Sequence, residues 1–95
     1  MSSNVLNPQS ATLANVASSA SSVALFADAG PVNGRAIFND STAVLYVKFG
    51  ATASSSSYTV QIAAGGYFEF PVPVYAGEVD GIWASANGNA RTTAW

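Results

Sequence analysis

A period of two is the strongest constraint on what this chain can fold into. From Val44 to Phe49, the residues Leu45, Val47 and Phe49 fall on one side and Val44, Tyr46 and Lys48 on the other. Alternation of this kind gives an extended strand one face for a core and one for solvent. Shorter runs repeat it at Val23 to Phe26, Arg35 to Asn39, Tyr58 to Ile62 and Tyr67 to Phe70. Each run ends in residues that turn a chain, among them Asp28-Ala29-Gly30-Pro31, Asn39-Asp40-Ser41-Thr42 and Ala64-Gly65-Gly66. The spacing predicts a hairpin from Tyr58–Ile62 through Gly65-Gly66 into Tyr67–Phe70. Pro71 and Pro73 cannot donate a ladder bond, so their segment belongs at a sheet edge or in an extended crossing between sheets. Beyond it, the pattern predicts a turn over Gly77 to Gly81 and a strand over Ile82 to Ala86. A reversal at Asn87-Gly88-Asn89 and a last strand from Arg91 to Trp95 complete the chain. Six or seven such strands make an all-β protein, a small antiparallel β-sandwich of Ig-like or jelly-roll-like type.

Residues 1–22 read differently. Val5, Leu6, Leu13 and Val16 are scattered among Ser, Ala and Asn, with no helical stripe. A segment so poor in large apolar groups does not offset its own ordering entropy, so it reads as an extended N-terminal arm, loose or laid along a neighbouring subunit. The sandwich domain then covers residues 23–95.

The side-chain inventory bears on function. Among 95 residues there is no histidine and no cysteine, and only 8% are charged. The absence of cysteine removes disulfides and thiolate metal sites. Three basic residues, Arg35, Lys48 and Arg91, and a net charge of −2 are far from the basic stripe that nucleic acid demands. Neither a signal-peptide pattern nor an apolar run long enough to span a membrane is present, so the mature protein is expected to start near Met1. Glu69, Glu78 and Asp80 are the only carboxylates worth weighing for glycoside hydrolysis, and Lys48 the only base for a serine nucleophile. No nucleophile-elbow pattern accompanies them. Asp28, Asp40 and Asp80 lack calcium-loop spacing. No enzyme, cofactor or metal is therefore expected. So uncharged a surface suits contact with other protein subunits, because interface cores are depleted of charge.

Within Gly81-Ile82-Trp83-Ala84-Ser85-Ala86-Asn87-Gly88-Asn89-Ala90-Arg91, small residues flank a large ring, which would let another strand or subunit approach closely. Trp83 is a candidate interface anchor, weighed against a place in the core. Tyr75 and Trp95 join it as candidate interface residues, and Arg91 is the candidate for an intersubunit ion pair with Glu69, Glu78 or Asp80. Gly77, Gly81 and Gly88 read as turn residues with positive φ.

These strings carry a likeness. Asn33-Gly34-Arg35, Leu45-Tyr46-Val47-Lys48-Phe49-Gly50 and Tyr75-Ala76-Gly77-Glu78-Val79-Asp80-Gly81-Ile82-Trp83, with Ala90-Arg91 after them, resemble a family of small tailed-bacteriophage virion proteins. The likeness covers residues 34–95 and leaves the arm outside. It implies a virion protein assembled in the bacterial host cytoplasm. The nearest analogy is the capsid decoration or cement proteins, which form homo-oligomers, trimers above all, on the major capsid protein. It implies no catalytic residue. Alternatives are a tail, baseplate or head-to-tail structural protein, and a carbohydrate-binding receptor-recognition module stacking sugars on Tyr46, Tyr67, Tyr75, Trp83 or Trp95.

Overall fold

The computed structural model describes residues 7–95. They form eight strands: β1 (Thr12–Ala17), β2 (Val23–Phe26), β3 (Arg35–Ser41), β4 (Leu45–Phe49), β5 (Val60–Ile62), β6 (Tyr67–Glu69), β7 (Val79–Trp83) and β8 (Gly88–Ala94). All pair antiparallel, in two four-stranded sheets ordered β1-β8-β3-β6 and β2-β7-β4-β5. First pairs with last, second with seventh, third with sixth and fourth with fifth, as in one long hairpin bent across two layers. That order selects the jelly roll over the Ig-like alternative.

Inward-facing Leu25, Ile37, Leu45, Val47, Ile62, Phe70, Val79, Trp83 and Ala90 form the core between the sheets. One end of it is aromatic. Phe49 stacks on Phe70 at 4.9 Å and on Tyr75 at 4.8 Å, with Phe26 edge-on to Phe70. Such pairs add about 1 kcal/mol each beyond their burial. Gly81 faces into this core, where an added Cβ would meet Leu25 Cδ1 at 2.7 Å and Leu45 Cδ1 at 3.0 Å. It is a close-packing residue inside a strand and not a turn residue. Of the three glycines expected at turns, only Gly88 has a positive φ, 125° being found instead at Gly50 and 74° at Gly65.

Both ends of β3 are tied across the sandwich by polar side chains that the sequence pattern alone would turn outward. Asn39 is fully buried. Its Nδ2 donates to the carbonyls of Ala43 (2.8 Å), Ile62 (2.9 Å) and Ala63 (3.1 Å), and its Oδ1 accepts from Trp83 Nε1 at 3.1 Å and Ser41 Oγ at 2.7 Å. At the other end the buried Arg35 guanidinium donates to the carbonyls of Tyr75, Gly77, Ala27 and Ala76, and lies 4.6 Å from the Phe26 ring centroid. Asn39 is bonded at every polar atom, and Arg35 at both terminal nitrogens, with only its Nε left without a partner.

Asn39 explains the largest departure from the sequence pattern. Tyr58–Ile62 and Tyr67–Phe70 do not form a hairpin: β5 pairs with β4 in one sheet and β6 with β3 in the other. The chain crosses between layers at Ala63–Gly66, where Gly65 N donates to Asn39 O and Asn39 N to Gly66 O. Side-chain bonds from Asn39 to Ile62 and Ala63 fasten the same corner. The segment 71–76 makes a further crossing, from β6 in one sheet to β7 in the other, and contains no strand. The strand placed at Ile82–Ala86 lies instead at Val79–Trp83, because Val79, Gly81 and Trp83 carry the buried parity.

The arm also needs correction. Thr12–Ala17 pairs with β8 along its whole length, and Ser22 Oγ donates to Asp80 Oδ2 and accepts from Ala53 N. The sandwich therefore begins at Thr12, and not at Val23. Five of the six β1 side chains stay exposed, which is why no apolar stripe marks this strand in the sequence. Residues 1–6 of the expected arm lie outside the described residues.

Candidate functional site

The two sheets present very different outer faces. Over β2-β7-β4-β5, Asp80 points away from the core yet is only 6% exposed, and Ala53 in the β4–β5 loop is 2% exposed. The loop folds across the sheet. Lys48 Nζ donates to Thr52 O and Ser57 Oγ, Phe49 N to Thr59 Oγ1, and Ala53 N to Ser22 Oγ. Tyr58 leans on Tyr46 with ring centroids 5.1 Å apart and accepts from Gln61 Nε2. The serines of this loop thus act as local ties.

The outer face of β1-β8-β3-β6 carries no such cover among the described residues. Register places Asn15, Arg91, Phe38 and Tyr67 in one row across the four strands. Leu13, Thr93, Ala36 and Glu69 form the next row, and Ala17, Asn89 and Asp40 a third. Leu13 is 74% exposed, Tyr67 63% and Phe38 37%. Arg91 Nε donates to Asp40 Oδ2 at 2.8 Å, so the two charges near the middle of the face neutralise one another. The result is a patch of aromatic, aliphatic and amide groups in which Glu69, at its β6 edge, is the one charge without an ion-pair partner among the described residues.

The four candidate interface residues do not converge. Trp83 is 2% exposed, with its ring in the core and its Nε1 on Asn39, so it belongs to the interior and cannot anchor a surface contact. Tyr75 is spent on stacking against Phe49. Trp95 sits on Gly34, whose lack of a Cβ makes room for the indole, and exchanges backbone bonds with it. Its flank lines an open cleft of about 480 Å³ with Thr12, Phe26, Asp28 and Arg35. Arg91 alone lies on the bare face, paired with Asp40 of its own chain and not with Glu69, Glu78 or Asp80. Phe38 and Leu13 were not singled out from the sequence. In Arg35-Ala36-Ile37-Phe38-Asn39 the two clamps hold Arg35 and Asn39 inside with Ile37, and this turns Phe38 outward.

Two groups have perturbed acidity. Desolvation lowers the Arg35 pKa from its ordinary value, opposed by Tyr75 and then Asp28. The guanidinium remains a cation at any physiological pH. Glu78 is raised, first by hydrogen bonding to Asp80, then by repulsion from the Asp80 carboxylate, with burial and Asp28 adding less. Neither group lies on the bare face. Among the described residues no three His, Cys, Asp or Glu side chains gather as a metal site.

No family model, no curated protein and no solved structure matches this chain.

Proposed function

We propose that this chain is a non-enzymatic structural protein of a tailed-bacteriophage virion, a decoration or cement protein that binds the major capsid protein and stabilises the head. The observation that supports this best is the bare outer face of the β1-β8-β3-β6 sheet, with exposed Leu13, Phe38 and Tyr67 around a self-neutralised ion pair. Protein interfaces favour aromatic residues and exclude unpaired charge from their centres. The opposite face is partly covered by its own loop, with Tyr58 38% exposed on it, so the more exposed Leu13 and Tyr67 mark the β1-β8-β3-β6 side as the one to attach. Jelly-roll sandwiches recur among capsid and lectin domains, an analogy of fold and not of site.

A sugar-binding role in receptor recognition is the second reading, favoured by the exposed Tyr67 ring in one row with Asn15 and Arg91. The two separate in one experiment. Particles of the encoding phage are purified, the protein is sought in them by mass spectrometry, and gene-deleted particles are heated beside the parent. Presence on heads, with earlier rupture of the deleted particles, is expected. Its absence from particles, or its presence only at tail tips together with glycan binding, would overturn the decoration role.

A further inference from the structure

We infer that the free edge of β1 pairs with the β1 of a second copy, antiparallel about a two-fold axis, so that the chain is a dimer in solution. The sandwich has four edge strands, and three are blunted. β5 and β6 are three residues long, with Glu69 in β6 and Pro71 and Pro73 following it. β2 has four residues and a register break between Ala24 and Phe26. Short length, charge, proline and bulges are the devices by which sheet edges avoid pairing. β1 has none of them: six residues, Thr-Leu-Ala-Asn-Val-Ala, uncharged and in unbroken register with β8.

The free hydrogen-bonding groups can be located. Ser18 N donates to Gly88 O, and antiparallel ladders alternate, so the N–H and C=O of Thr12, Ala14 and Val16 point to β8. Those of Leu13, Asn15 and Ala17 point away from the sheet, and among the described residues nothing pairs them.

A second copy fits this edge for three reasons. With no charge in β1, two copies meet without repulsion. A two-fold axis at Asn15 pairs Leu13 with Ala17 of the second copy and Asn15 with its own image, which satisfies all three outward residues. The Asn15 Nδ2 already donates to Asn89 Oδ1 at 3.4 Å, and its second N–H and its Oδ1 are left to bond to its image on the axis. The axis stands perpendicular to the sheet and keeps like faces together, so the two bare faces join into one of double width. An interface built on one strand is small, so the dimer dissociates on dilution. This pairing is two-fold, unlike the trimer that the phage likeness implies. It does not rest on the virion reading, which is tested by attachment to particles and not by mass.

The test is sedimentation equilibrium of the full chain over about 1 µM to 1 mM, beside Asn15→Pro. Proline at an outward-facing edge position removes no backbone bond to β8, and costs only the exposed Asn15 Nδ2 to Asn89 Oδ1 contact at 3.4 Å. The parent should move from its monomer mass of 9.7 kDa to twice that value, while the variant, folded by circular dichroism, stays monomeric. If the proline variant does not fold, Asn15→Cys serves, because the chain holds no other cysteine. Mild oxidation should convert most of it to a covalent dimer of the parent's fold, and Thr12→Cys should convert little. A parent that is monomeric throughout, a trimer, a dimer unchanged in folded Asn15→Pro, or equal crosslinking at positions 12 and 15 would overturn the inference.

Discussion

Of the two outer faces of this sandwich, one is largely covered by its own loop, with Tyr58 38% exposed, and the other is open. Over β2-β7-β4-β5 the chain uses its own Ser-rich loop and Ser22 to cover Asp80 and Lys48. Over β1-β8-β3-β6 it leaves Leu13, Phe38 and Tyr67 in solvent. Exposed aromatic groups contribute little to the stability of the free chain, whereas buried ties contribute a great deal. The difference teaches that stability and assembly are divided between opposite sides of one small fold.

The largest effect is expected where both sheets are fastened together. Asn39→Leu removes the amide that binds Ala43, Ile62 and Ala63 and strands the Trp83 Nε1 donor in the core. A loss of about 3 kcal/mol or more in urea unfolding is expected from so many unpaired buried groups. Deleting residues 1–22 comes next. It strips β1 from β8 and takes Ser22 from Asp80 and Ala53, so the truncated chain should melt well below the parent or fail to fold. An unchanged melting temperature would return that segment to the status of an arm.

On the covered face alone, Ser22→Ala leaves Ala53 N and Asp80 Oδ2 without their partner and should cost about 1–2 kcal/mol. Glu78→Gln should act in the opposite direction. Because Glu78 is raised in the folded chain, the native state holds its proton more tightly than the unfolded one, and stability falls as pH climbs from the unfolded value through the folded one. The variant should therefore melt above the parent at pH 7, and the gain should vanish below about pH 4, where both states are protonated. Equal melting at both pH values would remove the Glu78–Asp80 repulsion from the account. Smallest of all, Tyr67→Ser on the open face should change stability by about 0.5 kcal/mol or less.

Much of this architecture was legible in advance. The alternation of Leu45, Val47 and Phe49 gave β4 its inward face, and turn residues bounded β2 and β3. Two kinds of feature were not legible. Strand pairing was one: Gly65-Gly66 has the composition of a hairpin turn, and only the distant Asn39 makes it a corner between layers. Polarity inversion was the other. Arg35 and Asn39 sit inside because carbonyls from remote loops converge on them, and this turns Phe38 outward. Between the two places weighed for Trp83 the structure takes the core, where its indole N–H finds in Asn39 a buried partner that no local pattern announces. β1 was hidden because, of its six side chains, only Val16 packs against the core, and a single apolar contact makes no alternation.

The central claim, that the open face attaches the protein to the particle, is tested most directly by a face-by-face comparison of binding to gene-deleted phage heads. Phe38→Ser with Tyr67→Ser should abolish attachment while the melting temperature stays close to that of the parent. Tyr58→Ser with Gln61→Ser on the covered side should attach as the parent does. Full attachment of the first pair, or loss confined to the second, would contradict the account.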